Sequence, residues 1–211
     1  MLFMVIGRIS ILLVISMLIF LVGKTAMAIE ESEYAVVEKE GDFELRQYEP
    51  LIVAETIVEG EFNDVGNVGF RRLYDYISGN NQKKESISMT APVTQEARSE
   101  KISMTAPVTQ EKVGRKWRIT FMMPSQYTME TLPEPLDPNV KLNQEPERIV
   151  AALRYSGTWS QKRYKEKEAY LSEWIQKRGF KALGEPIFAR YNSPFMPWFL
   201  RRNEVLIPVK R

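Results

Sequence analysis

One pattern, written twice at a constant spacing, constrains this chain most. Val53-Ala54, Gly60 and Phe62 return as Val150-Ala151, Gly157 and Trp159, at an offset of 97 (53 to 150, 62 to 159). Each set leads from a β-branched run straight into a stretch of helical period, so two related strand–helix halves are implied. Runs of strand character surround them: Tyr34 to Lys39 and Phe43 to Tyr48 about the Gly41-Asp42 turn, Leu51 to Val58, and Lys116 to Met123 ended by Pro124. Val140 to Asn143, Arg148 to Tyr155, Glu185 to Tyr191 and Glu204 to Val209 complete the set. Strands, helix, strands, then strand, helix, strands argue for an α+β domain with an antiparallel or mixed sheet carrying two helices. A doubly wound parallel sheet would alternate more regularly.

The first helix is expected to open at Asn63 or Asp64 and to close near Gly79. Steps of 100° place Val65, Tyr76, Gly69, Leu73, Ile77, Phe70 and Tyr74 along half the cylinder, with Arg71, Asp75, Asn67 and Ser78 on the other half. That arc is wider than a helix lying on one sheet needs. Phe70 and Tyr74, at its margin, therefore require a second neighbour, either more protein or a flat apolar ligand. The second helix, about Gln161 to Arg178, carries Tyr164, Leu171, Ile175, Trp174 and Tyr170 on one side and spaces Glu173 and Lys177 for an i,i+4 pair. Between the halves a decapeptide repeats letter for letter, Ile87 to Glu96 and Ile102 to Glu111. Its apolar residues alternate with Ser, Thr and Pro, which favours paired strands and a loop over a ligand site.

Leu2 to Val22 is almost wholly apolar, with Arg8 its only charge, and Ala26-x-Ala28 has signal-peptidase spacing. A signal peptide over 1–28 is expected, with a single domain over 29–211 and export to the periplasm or medium; the alternative is an uncleaved anchor, the chain's one expected membrane contact. Without Arg8 and Lys24 the basic count falls from 29 to 27 and meets 27 acids. Such a neutral chain gives no footing for nucleic acid. It contains no histidine and no cysteine, which removes Ser-His-Asp and Cys-His chemistry, ordinary zinc sites and disulfides. No phosphate-cradling glycine loop occurs. Glu38, Glu44, Glu55 and Glu204 lie near strands, but nothing in their spacing marks a catalytic pair, and they are expected to be solvated.

What remains are basic-aromatic clusters, Phe70-Arg71-Arg72-Leu73-Tyr74 and Trp198-Phe199-Leu200-Arg201-Arg202. A tetrapyrrole needs both kinds of group, apolar surface for its faces and cations for its propionates. With these clusters stand the Ile-Ser-Met-Thr-Ala-Pro-Val segments, Phe121-Met122-Met123-Pro124, Tyr155-Ser156-Gly157 and Tyr191-Asn192-Ser193-Pro194-Phe195 running to Arg201-Arg202-Asn203-Glu204-Val205. Together they resemble the SOUL family of haem-binding proteins over essentially the whole chain after residue 28. The resemblance implies a distorted antiparallel β-barrel or curved sheet of two pseudo-symmetric halves, each with a helix. It also implies non-enzymatic, non-covalent binding of haem or another tetrapyrrole against the first helix, at Phe70, Arg71, Leu73, Tyr74 and Ile77. Family members thought to ligate iron do so through histidine, so here the iron would be left to solvent, to an external ligand, or to Tyr, Met or Lys, with Tyr74 the first candidate. The alternatives are a sensor or carrier of other flat apolar compounds, as in effector-binding domains, and an enzyme using a carboxylate or tyrosine.

Overall fold

The computed structural model describes residues 29–84 and 99–211. The expected signal segment and the first copy of the decapeptide lie outside the described residues. Nine strands form one curved antiparallel sheet: β1 (Tyr34–Glu40), β2 (Phe43–Tyr48), β3 (Leu51–Glu59), β4 (Val108–Val113), β5 (Lys116–Met122), β6 (Val140–Glu145), β7 (Arg148–Tyr155), β8 (Ile187–Arg190) and β9 (Asn203–Lys210). Their order is β6-β3-β5-β4-β8-β9-β7-β2-β1, and a two-residue strand, Lys181–Ala182, pairs with the end of β9. Two helices, α1 (Phe62–Ile77) and α2 (Gln161–Lys177), cover one face.

Apart from β1, which extends one edge, the order is a palindrome about the β4–β8 pair. β2-β3-α1-β4-β5 and β6-β7-α2-β8-β9 are equivalent halves, and the strand that opens each half crosses to pair with the other, β2 on β7 and β6 on β3. The offset of 97 is kept in register. Val53 faces Asn143, and Val150 faces Arg46, so both strands of each crossing pair keep it. Gly60 and Gly157 have φ of 143° and 136°, a region open to glycine, where the chain turns off the sheet toward its helix.

α1 starts earlier than expected. Glu61 is its N-cap, with no side-chain cap, and Asn63 and Asp64 lie within the first turn. This places the Phe62 ring in the core, stacked on Tyr164 of α2 at 5.6 Å and edge-on to Trp117 at 5.3 Å. Ser160 caps α2 as an acceptor for Arg163 N–H. On α2, Tyr164, Leu171, Trp174 and Ile175 are buried, whereas Tyr170 is exposed beneath the Lys167 ammonium. Glu173 and Lys177 form the expected pair at 2.7 Å.

Alternation along the strands sends the other set of side chains to the helix-free face, and ion networks organise it. Arg118 pairs with Glu55, Glu145 and, at 3.5 Å, Glu111. Glu204, fully buried, takes Arg46 bidentately at 2.6 and 3.1 Å, Arg202 at 2.9 Å and the Tyr191 hydroxyl at 2.9 Å. Ile57 faces Arg118 and Arg154 faces Glu204, so these two central ions occupy equivalent positions with opposite charge. The expectation of solvated carboxylates fails for three of the four: Glu204 is sealed in, and Glu44 and Glu55 are largely covered and paired with Arg46 and Arg118. Glu204 and Glu55 each found a guanidinium on another strand, a pairing that strand order creates, whereas Glu44 meets Arg46 two residues along its own strand.

Candidate functional site

α1 packs unusually close to the sheet. A Cβ at Gly69 would stand 2.4 Å from Cγ1 of Ile119, so only glycine admits β5 there, and one at Gly66 would stand 3.1 Å from Nη1 of Arg190. Leu73, Tyr76 and Ile77 are thereby buried in the core. Phe70 and Tyr74, one turn apart on the flank, are not. They remain 38% and 49% exposed and stack on each other at 5.9 Å with ring planes 11° apart, and Phe70 meets Phe121 edge-on at 5.3 Å. The two residues at the margin of the apolar arc thus have each other, one core ring and open space.

That space is an open-sided cleft of about 320 Å³ at the seam between the halves, where Val108 of β4 faces Arg190 of β8. Phe70 and Tyr74 form one wall and Met104 to Ala106 another; Trp159 and Tyr191 add aromatic surface, and Asn192 to Pro194 close the rim. Of the residues expected at the site, Phe70 and Tyr74 line it, whereas Leu73 and Ile77 are closed into the core behind them. Arg71 is exposed and does not line the cleft. The second copy of the decapeptide supplies both a strand and a cleft wall, beyond the purely structural role expected of it.

The other expected cations are engaged elsewhere. Arg72 bonds the Thr56 hydroxyl at 2.7 Å and pairs with Asp137 at 3.3 Å. Arg202 serves Glu204 and Glu31. Arg201 braces the exposed aromatic loop through the carbonyls of Pro194 and Met196, both at 2.7 Å, and lies 4.5 Å over Trp159.

The guanidinium that does face the cleft is one that sequence reasoning missed. Arg190, at the end of β8, lies between the rings of Trp159 and Phe188, 5.3 and 4.9 Å from their centres, and donates to the Gln110 amide oxygen at 2.9 Å. Its Nε is buried and unpartnered among the described residues. Burial holds its pKa down to about 10. Trp159, whose indole N–H donates to Asn203 at 2.8 Å, had a sequence signal as the offset mate of Phe62. Arg190 had none, because a strand-end arginine is ordinary until its neighbours are known.

A wider hollow of about 510 Å³ lies elsewhere, rimmed by Glu30, Glu31, Glu33 and Glu49. Among the described residues no group of three or more acidic side chains is placed to hold a metal.

These features can be set beside known proteins. Over 174 residues the chain is 27% identical to Heme-binding protein 2 of Homo sapiens, covering 78% of this chain and 80% of that one, and the Mus musculus protein of the same name matches equally. The C-terminal domain of EcmrR superposes with a TM-score of 0.56 at 11% identity, covering 84% of this chain and 98% of that domain, a likeness of fold alone. Residues 29–208 match the family model described as SOUL heme-binding protein, and the chain belongs to that family.

Proposed function

We propose that this protein is an exported, non-enzymatic carrier that holds haem or another tetrapyrrole as cargo in the cleft beside α1. The observation that carries this reading is the Phe70–Tyr74 pair, two parallel aromatic rings left half-exposed along one wall of an apolar cleft. Flat apolar walls suit the faces of a macrocycle, and the cleft volume falls at the lower end of the range for ligand sites. The family match and the name of the mammalian relatives support the same ligand class. The apolar segment before Ile29 supports export.

The residues present fit the ring better than they fit its iron. With no histidine or cysteine in the chain, the wall residues bearing an atom of iron-ligating chemistry are Tyr74, Met104 and Tyr191, and the Tyr191 hydroxyl already donates to Glu204. Ring burial then carries the affinity, so haemin and metal-free protoporphyrin IX should bind alike. The test is titration with both ligands, following the haemin Soret band and porphyrin fluorescence. Saturable binding of both at micromolar concentration supports the reading; no saturable change with either removes it.

A further inference from the structure

Buried cations in proteins are almost always paired, because an uncompensated charge away from water is costly. This chain follows the rule closely on its helix-free face, where Arg46, Arg118 and Arg202 each meet carboxylates. Arg190 departs from it. Its polar partner among the described residues is a neutral amide, its other neighbours are the faces of Trp159 and Phe188 and the buried phenol of Tyr155, and its Nε has no acceptor.

The surroundings hold the guanidinium toward the cleft. Gln110 donates its own amide N–H to the Phe62 carbonyl at 2.9 Å, which fixes its oxygen toward Arg190. The absent side chain at Gly66 leaves room beside Nη1 and Nη2. An oriented, solvent-poor guanidinium with free donor capacity, set in an apolar cleft, matches one ligand feature above others, an oxyanion attached to a flat apolar body.

Resting on the reading of this cleft as the ligand site, we propose that Arg190 makes it selective for flat ligands that carry a carboxylate or an equivalent anionic group. Arg190 is the specificity residue, and Gln110 positions it. Packing between Trp159 and Phe188 is the competing role, and it predicts that replacing Arg190 changes stability without changing ligand preference.

The experiment compares protoporphyrin IX with its dimethyl ester on the full chain, in wild type, Arg190→Lys and Arg190→Gln, with thermal unfolding followed in parallel. Wild type should prefer the diacid by on the order of tenfold to a hundredfold, the effect of one charge-assisted hydrogen-bonded contact. Arg190→Gln should bind both forms with the affinity of the ester, and Arg190→Lys should recover part of the preference. A preference retained in Arg190→Gln, or absent from wild type, overturns the proposal, and the second outcome needs no variant to fold. If neither porphyrin binds, the tetrapyrrole reading fails by itself. The proposal is then decided by 1-anilinonaphthalene-8-sulfonate against the neutral N-phenyl-1-naphthylamine: a sulfonate preference abolished in Arg190→Gln upholds it, and no preference overturns it.

Discussion

Replacing Phe70 and Tyr74 together by alanine tests the cleft wall directly. Aromatic side chains present roughly 200 Å² each. At 38% and 49% exposure the pair leaves about 170 Å² open to water. At about 25 cal/mol per Å², complete coverage by a ligand would contribute about 4 kcal/mol. A planar ring lying along one side covers about half of that surface, so the double variant should weaken binding by about 2 kcal/mol, roughly thirtyfold in Kd. Porphyrin fluorescence titration measures the change, with thermal unfolding as the control, since Phe70 also touches the core ring of Phe121. Tyr170→Ala provides the comparison: equally exposed at 48%, but on α2 and away from the cleft, it should leave affinity unchanged. A shift below about threefold in a folded double variant would refute the wall assignment.

Other expectations concern the scaffold. Arg46→Met strips the bidentate partner from fully buried Glu204 and should cost about 3–5 kcal/mol in urea unfolding, toward the lower end because Arg202 remains. Burial pushes the Glu204 carboxyl up, but the bonds and charge of Arg46 outweigh it and hold it below the ordinary range. Its contribution is therefore present above the unfolded pKa of about 4.3 and is lost as pH falls through the folded value. The stability gap between wild type and Arg46→Met should narrow over that fall, and a gap that widens in acid would contradict the assignment. Gly69→Ala sets a methyl 2.4 Å from Ile119, so an overpacking cost of about 1–3 kcal/mol should exceed the gain of about 1 kcal/mol in helix propensity. Denaturant midpoints should show a net loss that Ile119→Ala in the same chain partly relieves.

Much of this architecture could be read from residues because the relevant signals are local. The offset of 97 marked both halves, since the turn after each strand needs glycine in the same backbone region. Steps of 100° set Phe70 and Tyr74 apart from Leu73 and Ile77, and those four residues do divide between cleft and core. What escaped notice depends on pairing between distant strands. That β2 crosses to β7 and β6 to β3 is invisible in chain order, and with it the fate of Glu204, which looked solvated and is the centre of a sealed network. Arg190 escaped for the same reason: its lack of an acid is a property of what α1, β4 and Trp159 bring around it. α1 opened early because the Phe62 ring, drawn in against Tyr164, outweighed the capping preference of Asn63 and Asp64.

The inverted ions at positions 118 and 204 make the halves complementary rather than interchangeable. Were the first half to assemble with a second copy of itself, the crossing strand would bring Arg46 toward Arg118; two second halves would bring Glu145 toward Glu204. Either self-pairing adds a like charge beside an ion that keeps only its own half's partners, Glu55 and Glu111 for Arg118 or Arg202 for Glu204, so the strand exchange favours unlike halves. The electrostatics thus sort the halves by kind: a first half is matched to a second half, and the seam with its cleft is built only where the two unlike halves meet.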